Sequence, residues 1–282
     1  MGWRLQIEHL TEVKYAGPVR TSFNEARMTP MTLPTQATLE ARVTVGPGAA
    51  PAWSYNDYWG SHVTVFDLPE AHDHLRIRAT ATVETTAPAP RTGDTLGWDA
   101  IGQTAATGRL LEFCLPTPLT ALAPEIADDA IAGVRQLSPA MAAETISERV
   151  RESVAFMPGA TGVRTDAQQA WRQGQGVCQD MAHVTVTLLR RAGLPARYVS
   201  GYLHPNARAE PGSTAVGQGH AWVEYWAGQW SPLDPTSGAP VAERHVVVAR
   251  GRDYNDVQPL KGIYQGPPET SMDVAVEVTR LA

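Results

Sequence analysis

The period of the hydrophobic residues changes once along this chain, and that change limits what it can fold into more than any other feature. Over the first part it is two: Trp3, Leu5 and Ile7 alternate with Arg4, Gln6 and Glu8, and Leu39, Ala41, Val43 and Val45 with Glu40, Arg42 and Thr44. Leu75, Ile77, Ala79, Ala81 and Val83 repeat the pattern. Such alternation marks antiparallel strands with one face buried and one wet. With turn signals at Gly46-Pro47-Gly48 and Tyr55-Asn56-Asp57, it predicts an all-β, sandwich-like domain over 1–90. From about residue 141 the spacing is helical: Ile146, Val150 and Val154 recur with Glu148, Arg149, Arg151 and Glu152 between them.

Two further helices are expected, Asp166 to Arg172 and Cys178 to Ala192. The second is apolar nearly all round, through Met181, Ala182, Val184, Val186, Leu188 and Leu189, so it should be central and buried. Arg190 and Arg191, then Gly193 and Pro195, are ordinary stop signals for it. Strands are expected at about 195–204, 219–226, 229–234, 243–250 and 271–280. Helices followed by an antiparallel sheet give an α+β class, with 141–282 as one unit and the Pro-, Ala- and Thr-rich stretch 91–140 packed across both as a connector.

A chain of 282 residues is long for one core, which agrees with two packed units. The net charge of −6, with no cluster of Lys and Arg, excludes a nucleic-acid-binding surface. No apolar run reaches the length of a membrane span, and the start Met1-Gly2-Trp3-Arg4 lacks a signal-peptide layout. Only two cysteines occur, Cys114 and Cys178, which points to reduced thiols and a cytoplasmic setting. No calcium-loop spacing of acidic residues is present, and no metal or other cofactor is indicated. His72, Asp73 and His74 could suggest a metal but lie among the N-terminal strands, where an edge or turn is the simpler explanation.

Three segments carry chemistry. Gly176-Val177-Cys178-Gln179-Asp180 puts a thiol at a helix start, against unsatisfied backbone N–H groups and the positive end of the dipole. Thiols so placed, beside a cationic His, can ionise near or below neutral pH, and the same N–H groups can hold an oxyanion. Gly174 and Gly176 leave room for a substrate acyl group. His220, on a strand with Trp222, Glu224 and Trp226 on the same face, is the candidate base. Asp234 can orient it only from that face. A three-residue loop Trp226-Ala227-Gly228 pairs Tyr225 with Gln229 and sets His220 directly across from Asp234, with Cβ atoms roughly 5 Å apart. Singly, a strand His beside aromatics is usually core and an Asp before Pro-Thr is usually a turn former. Together the three form a nucleophile, base and orienter.

Other candidates are less specific. Gln179 follows the nucleophile; Trp171, Gln173 or Gln175 could supply a second oxyanion donor. Trp222, Trp226 and Trp230 are core residues that could border an acyl site, and Asp253 and Tyr254, in Arg250–Val257, could form a pocket wall or a capped loop. His183 lies five positions after Cys178, partly off its face, which favours packing over chemistry.

These segments, in this order, resemble the transglutaminase-like cysteine enzymes, whose core carries Cys, His and Asp as here. The stretches Tyr15…Pro18-Val19…Ser22…Glu25-Ala26-Arg27-Met28-Thr29-Pro30 and Asn56-Asp57-Tyr58-Trp59-Gly60 are similar to the N-terminal region of a bacterial branch of that family, and Arg250–Val257 to a segment it carries after its Asp. Met28 and Met31 stand where the family often has Leu and Arg. The resemblance implies a papain-like cysteine protease core, a Cys178–His220–Asp234 triad, a thioester intermediate and a peptide or protein substrate. It leaves hydrolysis and transfer to an amine both open, with hydrolysis narrowly favoured; a non-catalytic peptide-binding module with the same fold is the rival.

Overall fold

The structure, a computed structural model, describes residues 2–48, 51–88, 96–217 and 219–282. Two antiparallel sheets build the N-terminal part. The first has five strands in the order Thr214–Gly217, Glu269–Arg280, Trp3–Val19, His72–Thr85 and Gln36–Gly46; the second has four, Leu260–Gln265, Thr21–Ala26, His62–Leu68 and Ala52–Asn56. The long strand Trp3–Val19 explains how this part joins the rest. Its inward residues Trp3, Leu5 and Ile7 pack into the large core that contains the helices, while Val13 packs with Phe66, Leu75 and Ile77 in the smaller core between the two sheets. One sheet face thus serves two cores.

The period-two reading holds for Trp3–Ile7 and for Leu75–Val83, whose apolar members are all buried. It fails at Leu39. A bulge between Thr38 and Glu40 inserts Leu39 as an extra residue, and its side chain is 52% exposed on an edge strand. The strands at 260–265 and 269–280 belong to the N-terminal sheets, although their position in the chain groups them with the helices: Ile263 pairs with Phe23, and Val278 with Ile7. Between the sheets and the long helices, the segment after residue 96 forms short helices, Trp98–Ala105 and Pro124–Ala130, joined by 3-10 turns. Residues 91–95 of the expected connector, with Ala89 and Pro90 before them, lie outside the described residues.

The second half packs three helices, Pro139–Ser153, Ala167–Gln173 and Cys178–Ala192, on a four-stranded sheet in the order Trp230–Leu233, His220–Trp226, Ala196–Leu203, His245–Gly251. The helix Cys178–Ala192 is buried on nearly every side, as its composition requires. Its last turn does more than stop the helix. Arg190 is buried and donates to the carbonyls of Ala196 (2.9 Å), Leu115 (2.8 Å) and Arg252 (2.8 Å), tying three segments to the helix end. Among the described residues, no helix is long and apolar enough to cross a membrane.

Candidate active site

The chain turns into the central helix in a way that fixes Cys178. Gly174, at φ +65°, ends the preceding helix in the left-handed region, and Gln175–Gly176 pairs in parallel with Ala155–Phe156. Asp180 then caps the new helix backwards: its Oδ2 accepts from the Val177 N–H at 2.7 Å and from the Thr161 hydroxyl. Gly176 is small because of this carboxylate, since a Cβ there would lie 2.8 Å from Asp180, so its expected role of making room for an acyl group is replaced by a structural one. Burial pushes the Asp180 carboxyl up, against those two hydrogen bonds. By helix geometry the first-turn N–H groups of Cys178 and Gln179 have no intrahelical acceptor, which leaves them for a ligand oxygen.

The structure brings His220 and Asp234 together, with His220 Nε2 3.1 Å from Asp234 Oδ2. The hairpin that does so has a different register from the expected one. Trp226 pairs with Trp230 and Tyr225 with Ser231, around a loop of Ala227, Gly228 and Gln229 in which Gly228 has φ +100°. Continued, this register sets Asp234 level with Trp222 rather than with His220. A shift of two residues keeps each side chain on its own face, so the carboxylate still reaches the imidazole, diagonally along the strand. The slip arises because Gln229, placed by sequence in the strand, belongs to the loop.

Asp234 is fully buried and heavily supported. Oδ2 also accepts from the Ser237 hydroxyl at 2.7 Å, and Oδ1 from the Thr236 N–H at 3.0 Å. Burial works against its charge, but the bonds from His220 and Ser237 and the approach of His245 outweigh it and hold the carboxyl well below the usual range. For His220 too, burial opposes the charged ring. The hydrogen bond to Asp234, with the neighbouring Cys178 sulfur, reverses the balance and raises its pKa to about 9. The three candidate side chains are thus linked, with Nε2 on the carboxylate side. This is an imidazole prepared to stay protonated beside a thiol.

The remaining candidates fall into place by contact. Trp222 is buried and stacks on His220, centroids 5.8 Å apart, so it backs the base. Tyr198, unremarked in the sequence, is buried near Cys178: burial raises its pKa, and the nearby Cys178, Tyr254, Asp180 and Asp253 add to the effect. Tyr254 and Asp253 are therefore on the Cys178 side, but Asp253 acts as the cap of Tyr254–Val257, its Oδ1 accepting from the Asn255 N–H at 2.8 Å. Tyr254 also lines a cavity of about 100 Å³ with Ser200, Gly219, His9 and Met272, between core and N-terminal sheet. Gln179 donates to the Val163 carbonyl at 3.2 Å. Trp171 packs against the core and Gln175 stays in the short strand. His183 is neutral and buried, pushed to about 3 by burial and then by Arg190, with Nε2 accepting from the Tyr254 N–H, which makes it structural.

A residue that sequence reasoning missed is His245, whose Nε2 lies 3.5 Å from Asp234 Oδ2. Its only sequence signal was an imidazole opening the expected strand 243–250. His220, Asp234 and His245 each offer one ligand atom, all within 4.8 Å of one another, a spacing a cation could use. Its hydrogen bonding fits a donor better. The Ala242 N–H points to His245 Nδ1 at 3.1 Å and the Ala242 carbonyl lies 3.3 Å from the same atom; the shorter contact favours Nδ1 as acceptor, with the proton on Nε2 facing the carboxylate.

Residues 125–235 match the transglutaminase-like superfamily and residues 5–84 the bacterial transglutaminase-like N-terminal region. An uncharacterized protein of Mycobacterium leprae is 40% identical over 280 residues, 99% of this chain and 100% of that one. A protein-glutamine gamma-glutamyltransferase of Pseudomonas aeruginosa is 36% identical over 83 residues, 28% of this chain and 12% of that one. Among solved structures, a protein of Cytophaga hutchinsonii described as a candidate cysteine protease superposes with a TM-score of 0.77 at 20% identity, over 100% of this chain and 92% of that one. A helical layer on an antiparallel sheet, with a thiol at the helix start, is the transglutaminase-like core. The chain belongs to the transglutaminase-like superfamily, in the form that carries the bacterial N-terminal region.

Proposed function

We propose that the protein is a thiol-dependent acyl-transfer enzyme acting on peptide-type amides, with Cys178 as nucleophile, His220 as acid and base, and Asp234 as orienter. The observation that carries the reading is the buried pair of His220 Nε2 and Asp234 Oδ2, 3.1 Å apart, beside a thiol at a helix start, and the raised pKa of His220, about 9, agrees with it. A binding module has no use for a buried imidazolium held between a thiol and a carboxylate.

In the first half-reaction the Cys178 sulfur, its proton held by His220, attacks the amide carbonyl. The oxyanion is met by the Cys178 N–H at the helix start. His220 gives its proton to the departing amine as the C–N bond breaks, leaving a thioester on Cys178. In the second, His220 takes a proton from water or from an amine as that nucleophile attacks. The tetrahedral intermediate then collapses to release the acid or a new amide, and the proton returns to sulfur. Asp234 keeps the ring oriented and stabilises its charge throughout.

Water is favoured as acceptor, and the substrate is a peptide or protein. The local likeness to a protein-glutamine gamma-glutamyltransferase supports amine transfer as the second reading. Intact-mass detection of an acyl adduct on Cys178, after exposure to a peptide library with and without a primary amine, tests both. Adducts that decay to free enzyme plus acid fit hydrolysis, and product peptides carrying the amine fit transfer. Turnover by Cys178→Ala at the wild-type rate, or an acyl adduct that persists in that variant, refutes the nucleophile assignment.

A further inference from the structure

We infer that His245 is a positioning residue for this reaction, a second imidazole whose Nε2–H faces the same Asp234 carboxylate oxygen that His220 uses. The inference rests on the triad reading above. Four observations carry it. His245 is buried, with its side chain 1% exposed. Nδ1 lies 3.1 Å from the Ala242 N–H and 3.3 Å from the Ala242 carbonyl; the shorter contact favours Nδ1 as acceptor and the hydrogen on Nε2. That Nε2–H has no hydrogen-bond partner in good geometry, and Asp234 Oδ2 is 3.5 Å away. The ring is wedged edge-on against Trp222, centroids 5.4 Å apart, and Trp222 in turn stacks on His220.

A buried donor left unpaired is costly, and such a group needs an account. Here the oxygen it faces is the one that His220 also uses, so two imidazoles converge on a single carboxylate oxygen. Only one of them can hold the extra proton. Burial lowers the pKa of His245; Asp234 raises it, and Arg244 and His220 lower it again, for a net fall. The charged and titratable groups facing His245 are therefore Asp234 and His220 from the hairpin and Arg244 from its own segment. His245 stays neutral and contributes a dipole. It can support the anion without competing for the proton that His220 must move.

The contact is at the outer limit of a hydrogen bond, as such bonds often are before substrate binds. As His220 passes its proton to the leaving amine, the carboxylate loses its cationic partner and could turn away. The His245 N–H then gives Oδ2 a second donor and keeps the acceptor in line for the next protonation. Loss of His245 should therefore act on turnover rather than on substrate affinity.

The test uses the full chain, with p-nitrophenyl acetate as an activated acyl donor that needs no specific pocket. His245→Phe keeps a ring beside Trp222 and removes the donor; His245→Gln restores one. The expected result is a fall in kcat of about tenfold for His245→Phe, the size of one hydrogen bond to a charged group, with KM within about twofold. Its alkaline limb should move to higher pH, because the positive end of the N–H dipole no longer opposes the His220 imidazolium. His245→Gln should recover most of the loss. A merely structural role would lower thermal stability in both variants and leave the limb in place, and that outcome overturns the inference. So does an unchanged kcat in His245→Phe.

A second measurement does not depend on turnover. In protein labelled with 15N-histidine, His245 should show the neutral Nε2–H tautomer at pH 7, and its Nε2 signal should shift in Asp234→Asn. The Nδ1–H tautomer, or an unmoved signal, overturns the inference even if His245→Phe does not fold. If wild-type protein does not turn over the ester at all, the triad reading fails, and the tautomer measurement still decides what His245 does.

Discussion

Replacing Asp234 by Asn should change how stability depends on pH, by an amount the site itself sets. His220 has a folded pKa of about 9 against an ordinary value of 6.5. The folded value is raised, so the stabilisation is fully present below about 6.5 and is lost as pH rises through about 9. At 1.36 kcal/mol per pH unit, the pair contributes about 2.5 kcal/mol at pH 7 and almost nothing at pH 9.5. The His220 side chain is only 11% exposed, so solvent screening removes little of this. His9, lowered to about 4 by burial, and His183, lowered to about 3, are neutral in both folded and unfolded chains across that window. In Asp234→Asn the carboxylate's support is gone, burial dominates and the ring should be neutral at pH 7. Urea unfolding followed by tryptophan fluorescence at pH 7 and 9.5 should show the wild type losing about 2 kcal/mol more than the variant. Equal losses in the two proteins would mean that the imidazolium is not held by Asp234, and the electrostatic half of the triad argument would fall with it.

Cys178→Ala should abolish turnover and leave the melting temperature nearly unchanged, since a small side chain at a helix start carries little packing; residual activity at the wild-type rate would contradict the nucleophile role. Iodoacetamide at neutral pH should label Cys178 well before Cys114, whose half-buried thiol is pushed up by burial, and peptide mapping of the alkylated protein reads the order directly. Gly201→Ala should cost about 3 kcal/mol, because the new Cβ would overlap the Val246 carbonyl and come within 2.6 Å of the Trp222 ring, which stands behind His220. Its activity should fall as well, and a variant with wild-type unfolding would show that the sheet yields easily there.

The candidate site was more legible than the packing around it. Cys178 could be placed because a helix start is a local event, signalled by Gly176 before it and an apolar run after it. His220 and Asp234 share a face because side chains on a strand alternate, and that parity survived a register wrong by two. The exact register did not, since where a three-residue loop sits, one position earlier or later, is decided by tertiary fit around Gly228, and each position of sliding moves the pairing by two. His245 was illegible for a related reason. Its partner Asp234 is 11 positions away around a loop, and only the fold brings an edge strand's first residue back to that carboxylate. Arg190 read as a helix stop because its sequence position fits one; its four acceptor groups come from segments no local pattern connects to it. The sheet membership of Glu269–Arg280 was hidden in the same way, since its alternation specifies a strand and says nothing of which strand it joins.

That strand exchange bears on whether the helical half can stand without the N-terminal sheets. The strand Glu269–Arg280 pairs along almost its whole length with Trp3–Val19, and Leu260–Gln265 pairs with Thr21–Ala26. Trp3, Leu5, Ile7 and Val83 also bury themselves in the same core as Met181, Val184 and Leu188 of the central helix. A fragment of 96–282 would therefore leave Leu260–Gln265 unpaired, leave Glu269–Arg280 paired only with Thr214–Gly217, and lose a wall of its own core. Each aliphatic wall residue removed leaves a cavity that costs about 2–5 kcal/mol, and even two such losses approach the whole stability of an ordinary domain. Expressed alone, the fragment should be insoluble or unfold without a cooperative transition, and co-expression with 1–90 should restore soluble protein with a Cys178 that reacts as in the intact chain. A soluble, cooperatively unfolding 96–282 with wild-type Cys178 reactivity would instead show that the two cores are independent, and that the shared strands serve only to join them.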